Sequence, residues 1–406
     1  MIYLDWASTS LPDRDILAAA VGIVVDYPGN PSSPHALGKE AKGKLDETRA
    51  GILARLEGAS APRSLASRSL ALTSLVFTGS GSEADAIPLL ALARKASKDG
   101  SKPHIVVSAI EHAAIYEELP ILKRLGVEST LVHPCADGRL DPAAIERALR
   151  PETEAVFVMA VNNETGAIQP LADIARDVQS RASALGKRRP RIHADAVQAL
   201  GKMPFDPAAL GIDSAAFAAH KLRGPRGIGA LWLGRSLEPL VLGGGQEGGM
   251  RPGTENLQAA WAFRACLDSA LGDLEARVSA ARALETRLIG GIVDMGAIPL
   301  PLGRLPGDER YSPFIFSAAF PGLSGEVFAR ALAAGCPEAP DGVAVSTGSA
   351  CSHNARTKGR RILEAMGLPE ELSFSSIRIS TGELTGEADL DAFLKAAKRL
   401  YTALKA

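Results

Sequence analysis

The feature that most constrains this chain is a set of short apolar runs with no alternation between apolar and polar residues. Residues 104–108, 155–161, 215–219 and 227–233 are of this kind. A strand with one face in water alternates in polarity, so runs without alternation need cover on both faces. Helical spacing between the runs supplies it, at 36–56, 115–125 and 171–178, and in a helix opened by Asp141 as cap with Pro142 in first position. Further strands fit residues 2–5, 75–77, 129–132 and the start of 191–198, with an irregular excursion at 57–73. The expectation is an α/β protein built on a mostly parallel sheet covered by helices. Beyond a long helical run at 257–289 the composition shifts toward Pro and Gly. Strands return at 314–317 and 342–345, and a terminal helix carries Leu390, Phe393, Leu394, Ala397, Leu400, Tyr401 and Leu404 on one face. With 406 residues, 46% hydrophobic and 22% charged, the chain is long enough for two domains. We expect a large domain at 16–260 and a smaller one formed by 1–15 with 261–406.

In such sheets, polar residues just beyond the carboxyl ends of strands gather in one crevice. Ser82, His112, Asn163, Asp195, Gln198, His220 and Lys221 all occupy such positions. Lys221 follows the apolar run 215–219 almost directly. There desolvation lowers an amine pKa toward the range of Schiff-base chemistry, although a snorkelling lysine at a strand end is the plainer alternative. The turn Thr78-Gly79-Ser80-Gly81-Ser82 precedes a helical run. Small residues at a helix mouth expose N–H groups and hydroxyls to an anion, or Ser82 simply caps the helix. A lysine, an acid and a phosphate cradle in one crevice suggest pyridoxal phosphate, which needs an amine for its aldehyde, a carboxylate for its ring nitrogen and donors for its phosphate. Lys221, Asp195 and the 78–82 turn supply these. The imidazole of His112 could lie against the ring or serve a structural purpose.

A net charge of -1 favours neither nucleic acid nor a membrane surface as partner, and no apolar run approaches the length of a membrane span. A cytoplasmic protein is expected. Cys135, Cys266, Cys336 and Cys351 lack metal spacing and are too scattered for a disulfide scaffold. Cys351 differs from the others in lying in the polar stretch 346–359, with His353, Arg356, Lys358, Arg360 and Arg361 close by. Such a cluster favours the thiolate. The other three are assigned structural places. Three prolines make 26–35 a loop rich in polar groups, either a plain surface loop or a functional one, while the glycine-dense stretch 243–256 suits close approach to a ligand or a neighbouring subunit.

Together these residues resemble the cysteine desulfurases of the NifS/IscS group, within class V of the PLP-dependent aminotransferases. The motifs that carry the resemblance are Gly29-Asn30-Pro31-Ser32-Ser33, Ala109-Ile110-Glu111-His112, Val161-Asn162-Asn163-Glu164, Asp195-Ala196-Val197-Gln198-Ala199, His220-Lys221, Gly243-Gly244-Gly245-Gln246-Glu247 and Gly348-Ser349-Ala350-Cys351, in the family's order. The resemblance implies the PLP-dependent transferase fold, aspartate-aminotransferase-like. It also implies removal of sulfur from L-cysteine to give L-alanine and a persulfide on Cys351. Lys221 would hold pyridoxal 5'-phosphate and shuttle protons, Asp195 would pair with the ring nitrogen and His112 would stack on the ring. Asn163 and Gln198 would contact the ring hydroxyl. Gly81, Ser82, His220 and Thr254 would hold the phosphate, Thr254 from the second subunit of a homodimer. Arg378, helped by Asn30, would grip the substrate carboxylate. Sulfur would pass to an acceptor protein such as an iron-sulfur scaffold.

The chain departs from the family pattern at several places. Ala218 stands where a serine is usual, the phosphate turn reads Thr-Gly-Ser-Gly-Ser-Glu, Asp85-Ala86 replaces an Asn pair, and Trp6, Pro252 and Glu383 replace Asn, Ser and Arg. Ala218 removes a phosphate hydroxyl. Other readings are a different class V enzyme, either an aminotransferase or a selenocysteine lyase, or a non-catalytic scaffold descended from the family.

Overall fold

A computed structural model describes residues 1–56, 74–348 and 360–405. Its strands in chain order are β1 (Ile2–Tyr3), β2 (Ser74–Thr78), β3 (His104–Ser108), β4 (Glu128–Val132), β5 (Thr153–Phe157), β6 (Arg191–Asp195), β7 (Ser214–Ala218), β8 (Gly229–Leu233), β9 (Ile298–Leu300), β10 (Ile315–Ala319), β11 (Val343–Ala344) and β12 (Ser376–Ser380).

Seven of these form the main sheet, in the order β2-β8-β7-β6-β5-β3-β4. Every pair from β7 to β4 is parallel, whereas β8 runs antiparallel to both β7 and β2. Only residues 219–228 separate β7 from β8, fewer than the dozen or so a parallel crossover needs. The chain therefore turns back there, and that turn carries Lys221. Burial on both faces holds for β3, β7 and β8, which are buried at every position. Along β3 and β5, Val106 and Val156 enter one core while Ile105, Val107, Ala155 and Phe157 enter another on the opposite face. The edge strand β4 departs from this expectation: three of its five residues are exposed, and no strand among the described residues pairs beyond it.

Two helical readings need correction. The run at 115–125 is two short helices, Ala113–Tyr116 and Leu119–Arg124, with Pro120 in the first turn of the second, where its missing N–H costs nothing. The run at 257–289 is also two helices, Leu257–Gly272 and Leu274–Asp294. They part at Asp273 (φ -116, ψ 23), directly after a glycine that weakens the helix end.

A second sheet, β12-β10-β9, is antiparallel, and β1 pairs with β11 in parallel. Around them Leu4, Phe316, Phe328, Ile379, Leu390, Phe393, Ala397 and Tyr401 form a separate core. Leu394 and Leu400 of the helix Glu387–Lys405 pack at its margin, while Leu404 is 43% exposed and lies outside it. The first residues of the chain join the two units, since Leu4 belongs to the smaller core and Ala7 to the main one. Among the described residues, no helix is long and apolar enough to cross a membrane.

Candidate active site

The carboxyl ends of β5, β6 and β7 open into a cleft of about 220 Å³. Beyond Ala218 the chain makes a single 3-10 turn, Ala219–Lys221, and the half-buried Lys221 Nζ donates to the carbonyls of Ala7 and Ser8, both at 2.6 Å. Beyond Phe157 the chain stays extended: Val158 N–H donates to His193 O and Ala160 N–H to Asp195 O, at 3.1 and 2.7 Å. That pairing sets Met159 and Asn163 beside Asp195 in the cleft lining. Arg378, at the middle of β12 and 2% exposed, reaches the same cleft. Its guanidinium donates to Asp5 Oδ1, Ser8 Oγ and Asn163 O at 2.9, 2.7 and 2.9 Å.

The small-residue turn lies at the mouth of the helix Gly81–Asp99, and its cap is Ser80, not Ser82. Ser80 Oγ accepts Glu83 N–H at 3.1 Å while Glu83 Oε2 accepts the N–H of Gly79, one residue before the cap, a variant of the capping box. Ser82 is thereby left exposed in the first turn with its hydroxyl on the cleft. Gly81 is sterically required: a Cβ there would lie 2.8 Å from Val197 Cγ2 and 3.3 Å from Ala218 Cβ. His220 joins the lining, its Nδ1 3.2 Å from Thr9 Oγ1, and burial lowers its pKa to about 3.

The cleft is rich in buried carboxyls. Asp195 Oδ1 accepts Val197 N–H at 3.0 Å, and burial raises its pKa against the pull of His112, the Val197 N–H and Lys221. Asp85, 1% exposed, lies 3.1 Å from His193 Nε2, and burial followed by repulsion from Asp195 and Glu111 raises it well above the usual range. Burial also lifts the Glu111 carboxyl to about 8. His112 Nδ1 accepts Ala114 N–H at 3.1 Å, which leaves the neutral ring its proton on Nε2; burial lowers its pKa, against Asp195 and with Lys221 and Arg361.

Comparison with known proteins decides the family. The Aminotransferase class-V model matches residues 2–393. The chain belongs to the class-V aminotransferase family. Among its relatives in that family, the cysteine desulfurase IscS of Anaeromyxobacter dehalogenans is 33% identical over 96% of this chain and 90% of its own length. A solved NifS-like protein superposes with a TM-score of 0.84 at 28% identity, covering 99% of each chain. A structure titled SspA in complex with cysteine gives a TM-score of 0.73 at 27% identity, covering 94% of this chain and 98% of its own. The architecture is the PLP-dependent transferase fold of this family.

The residues of this class-V member suit the group that the family implies. Asn163 Oδ1 and Arg378 Nε are buried without a hydrogen-bond partner among the described residues, one acceptor and one donor on residues that line the cleft. Asp195 and Asp85 are buried carboxyls on the cleft wall, both raised first by burial, and Asp195 has an oxygen for a protonated ring nitrogen. The mouth of the helix Gly81–Asp99 and the Ser80 and Ser82 hydroxyls suit a phosphate.

Of the site residues expected from the sequence, Lys221, Asp195, Gln198, Asn163, His112, His220, Gly81, Ser82 and Arg378 line one cleft. Asn30 does not; it is exposed, and its Oδ1 accepts Ser32 N–H at 2.9 Å. Thr254 is exposed and also outside the cleft of its own chain. Cys351 lies outside the described residues. Of the other cysteines, Cys266 is buried with its thiol pushed up to about 12, whereas Cys135 is exposed and does not have the packed place assigned to it. Sequence reasoning missed Ser8, Met159 and Lys202. Lys202 donates to Gln198 Oε1 at 2.7 Å, and burial lowers its pKa to about 7. Its spacing of four from Gln198 was the one available signal.

Proposed function

We propose that this chain is a cysteine desulfurase that binds pyridoxal 5'-phosphate in the cleft and converts L-cysteine to L-alanine, leaving the sulfur as a persulfide on Cys351. The observation that carries this reading is the convergence of Lys221, Asp195, His112 and Arg378 on one cleft, in a family member whose relatives include IscS. The transfer balances without an external oxidant, since one substrate C–S bond and one enzyme thiol become a C–H bond and a persulfide.

When bound, the cofactor supplies an aldehyde for an amine and a ring that withdraws electrons from the substrate. Lys221 would hold that aldehyde and move the substrate's alpha proton, and its two carbonyl partners orient the amine. Asp195 would keep the ring nitrogen protonated, and His112, Asn163 and Gln198 would hold the ring. Gly81, Ser82 and His220 hold the phosphate with Thr254 of a second subunit, so the working form is a homodimer. Arg378 would take the substrate carboxylate through its Nε, which has no hydrogen-bond partner among the described residues. The persulfide then passes to a sulfur-acceptor protein such as an iron-sulfur scaffold, in the cytoplasm. Residues 16–260 form the cofactor-binding domain, and 1–15 with 261–406 the smaller domain that carries Cys351.

The test is reaction with L-cysteine, quantified L-alanine, and peptide mapping after labelling with a thiol-specific reagent. Persulfide is expected on Cys351 and alanine production is expected to collapse in Cys351→Ser. Persulfide on Cys135, Cys266 or Cys336, or full alanine production by Cys351→Ser, would overturn the reading. Lys221→Ala is expected to lose the borohydride-reducible link to the cofactor.

A further inference from the structure

A second cavity, about 780 Å³, lies behind the catalytic cleft, between the helix Gly81–Asp99 and the sheet. The two share a wall: His193 lines the second cavity, and its Nε2 meets Asp85, which lines the first. On the inner side the second cavity is apolar, with Pro88, Ala91 and Leu92 from the helix, Phe157 from β5, and Leu237. Pro88 cannot donate the helical hydrogen bond of its position, which loosens the helix over this space.

The mouth is strongly cationic. The helix contributes Arg94, Lys95 and Lys98, the stretch leading into β6 contributes Lys187, Arg188, Arg189 and Arg191, and Arg235 follows β8. Only Glu154 and Glu238 line the same space as carboxylates. They pair with Lys95 and with Arg94 and Lys98, and Asp213 behind the wall takes Arg189 and Arg235 at 2.7 and 3.4 Å. Lys187 and Arg188 are exposed and have no ion-pair partner among the described residues. Five of the eight basic side chains are thus paired, and Lys187, Arg188 and Arg191 carry the charge left to attract an anion. Arg191 shows the crowding: its guanidinium donates to the Arg235 carbonyl at 3.1 Å, and burial and then the Arg235 charge lower its pKa.

The geometry points to a ligand, and we propose that this cavity binds an organic polyphosphate of nucleotide size. Its phosphates lie among the arginines and lysines of the mouth, and its organic body lies along the apolar wall of the helix. Arginine forks match phosphate oxygens two at a time. Inorganic phosphate would leave most of the volume and all of the apolar wall unused, since a cavity of several hundred Å³ suits an organic ligand. A nucleic-acid duplex does not fit a concave space, and the chain's net charge of -1 gives it no broad basic face.

The test is calorimetric titration of the cofactor-loaded protein with ATP, tripolyphosphate and inorganic phosphate; cofactor loading keeps the catalytic phosphate cradle filled. ATP is expected to bind one per chain, at least tenfold more tightly than tripolyphosphate, and more weakly as salt rises. The double variant Lys187→Glu with Arg188→Glu is expected to weaken ATP at least tenfold. Ala91→Trp, which fills the apolar wall, is expected to lose more affinity for ATP than for tripolyphosphate. Both variants should keep wild-type alanine production from L-cysteine, because none of these residues lines the catalytic cleft. No binding of ATP at millimolar concentration overturns the proposal, as does equal affinity for ATP and tripolyphosphate. ATP binding unchanged in both variants also overturns it, and would assign the nucleotide to another surface.

Discussion

Glu111 offers a test of how the cleft is charged. Its side chain is 0% exposed; Oε1 accepts Met159 N–H at 2.7 Å, and the Ser108 hydroxyl lies close enough to hydrogen-bond the carboxyl. Arg361 is near, but it donates to the carbonyls of Ala109 and Glu111, not to the carboxyl. Burial therefore dominates and moves the pKa from 4.5 to about 8. The sign follows from proton counting. Between those two values the unfolded chain has lost the proton and the folded chain keeps it, so stability falls as pH rises through the window and levels off above the folded value. At about 1.36 kcal/mol per pH unit the full displacement corresponds to roughly 5 kcal/mol. Relaxation around the buried group reduces that, and about 2–3 kcal/mol is expected at pH 7.5. Glu111→Gln keeps the acceptor for Met159 N–H and cannot ionise; its amide nitrogen can donate to Ser108 Oγ as the protonated oxygen can. The variant should therefore be more stable by about 2–3 kcal/mol at pH 7.5 and nearly equal to the wild type at pH 4.5. Urea denaturation followed by tryptophan fluorescence from pH 4.5 to 8.5 measures this directly. Parallel pH dependences for the two proteins, or a less stable variant at pH 7.5, would refute the reasoning.

Other substitutions probe the same cleft. Asp195→Ala should slow alanine formation by about a hundredfold or more while thermal stability is kept, since the buried charge it removes is costly; unchanged turnover would move its role to Asp85. Arg378→Lys should raise the KM for L-cysteine about tenfold or more, because a lysine cannot hold Asp5, Ser8 and a substrate carboxylate together; steady-state kinetics report it. Ala218→Ser should tighten cofactor binding about two- to tenfold by returning a hydroxyl to the lining, measured by equilibrium dialysis. Gly81→Ala should weaken cofactor binding in the same assay, because its Cβ would lie 2.8 Å from Val197 Cγ2 and push the helix mouth away.

Much of the site could be read from local pattern. Lys221, Asp195 and Asn163 are legible because each lies at or beyond the carboxyl end of a largely buried strand, and a strand's length and apolarity are written in consecutive residues. The same logic located the cradle at Gly81, but the cap that the sequence offers as the plainer use of the turn, Ser82, is Ser80 in the structure. A cap is decided by where the helix begins, and a run of small residues leaves that open. The long run at 257–289 read as one helix because apolar spacing continues across Gly272 and Asp273, while the break lies in the backbone angles.

By itself the sequence determined the strands and most helices, the order in which they alternate, and the chemistry of the residues at strand ends, because these depend on neighbours a few positions apart. Only the tertiary structure decided that Asp5, Ala7 and Ser8 fold back over Lys221 and Arg378, and that Glu111, Asp85 and Asp195 are all buried around one space. It also decided that basic residues from three parts of the chain converge on a second cavity. Burial and charge crowding are sums over elements distant in sequence, so no local window contains them.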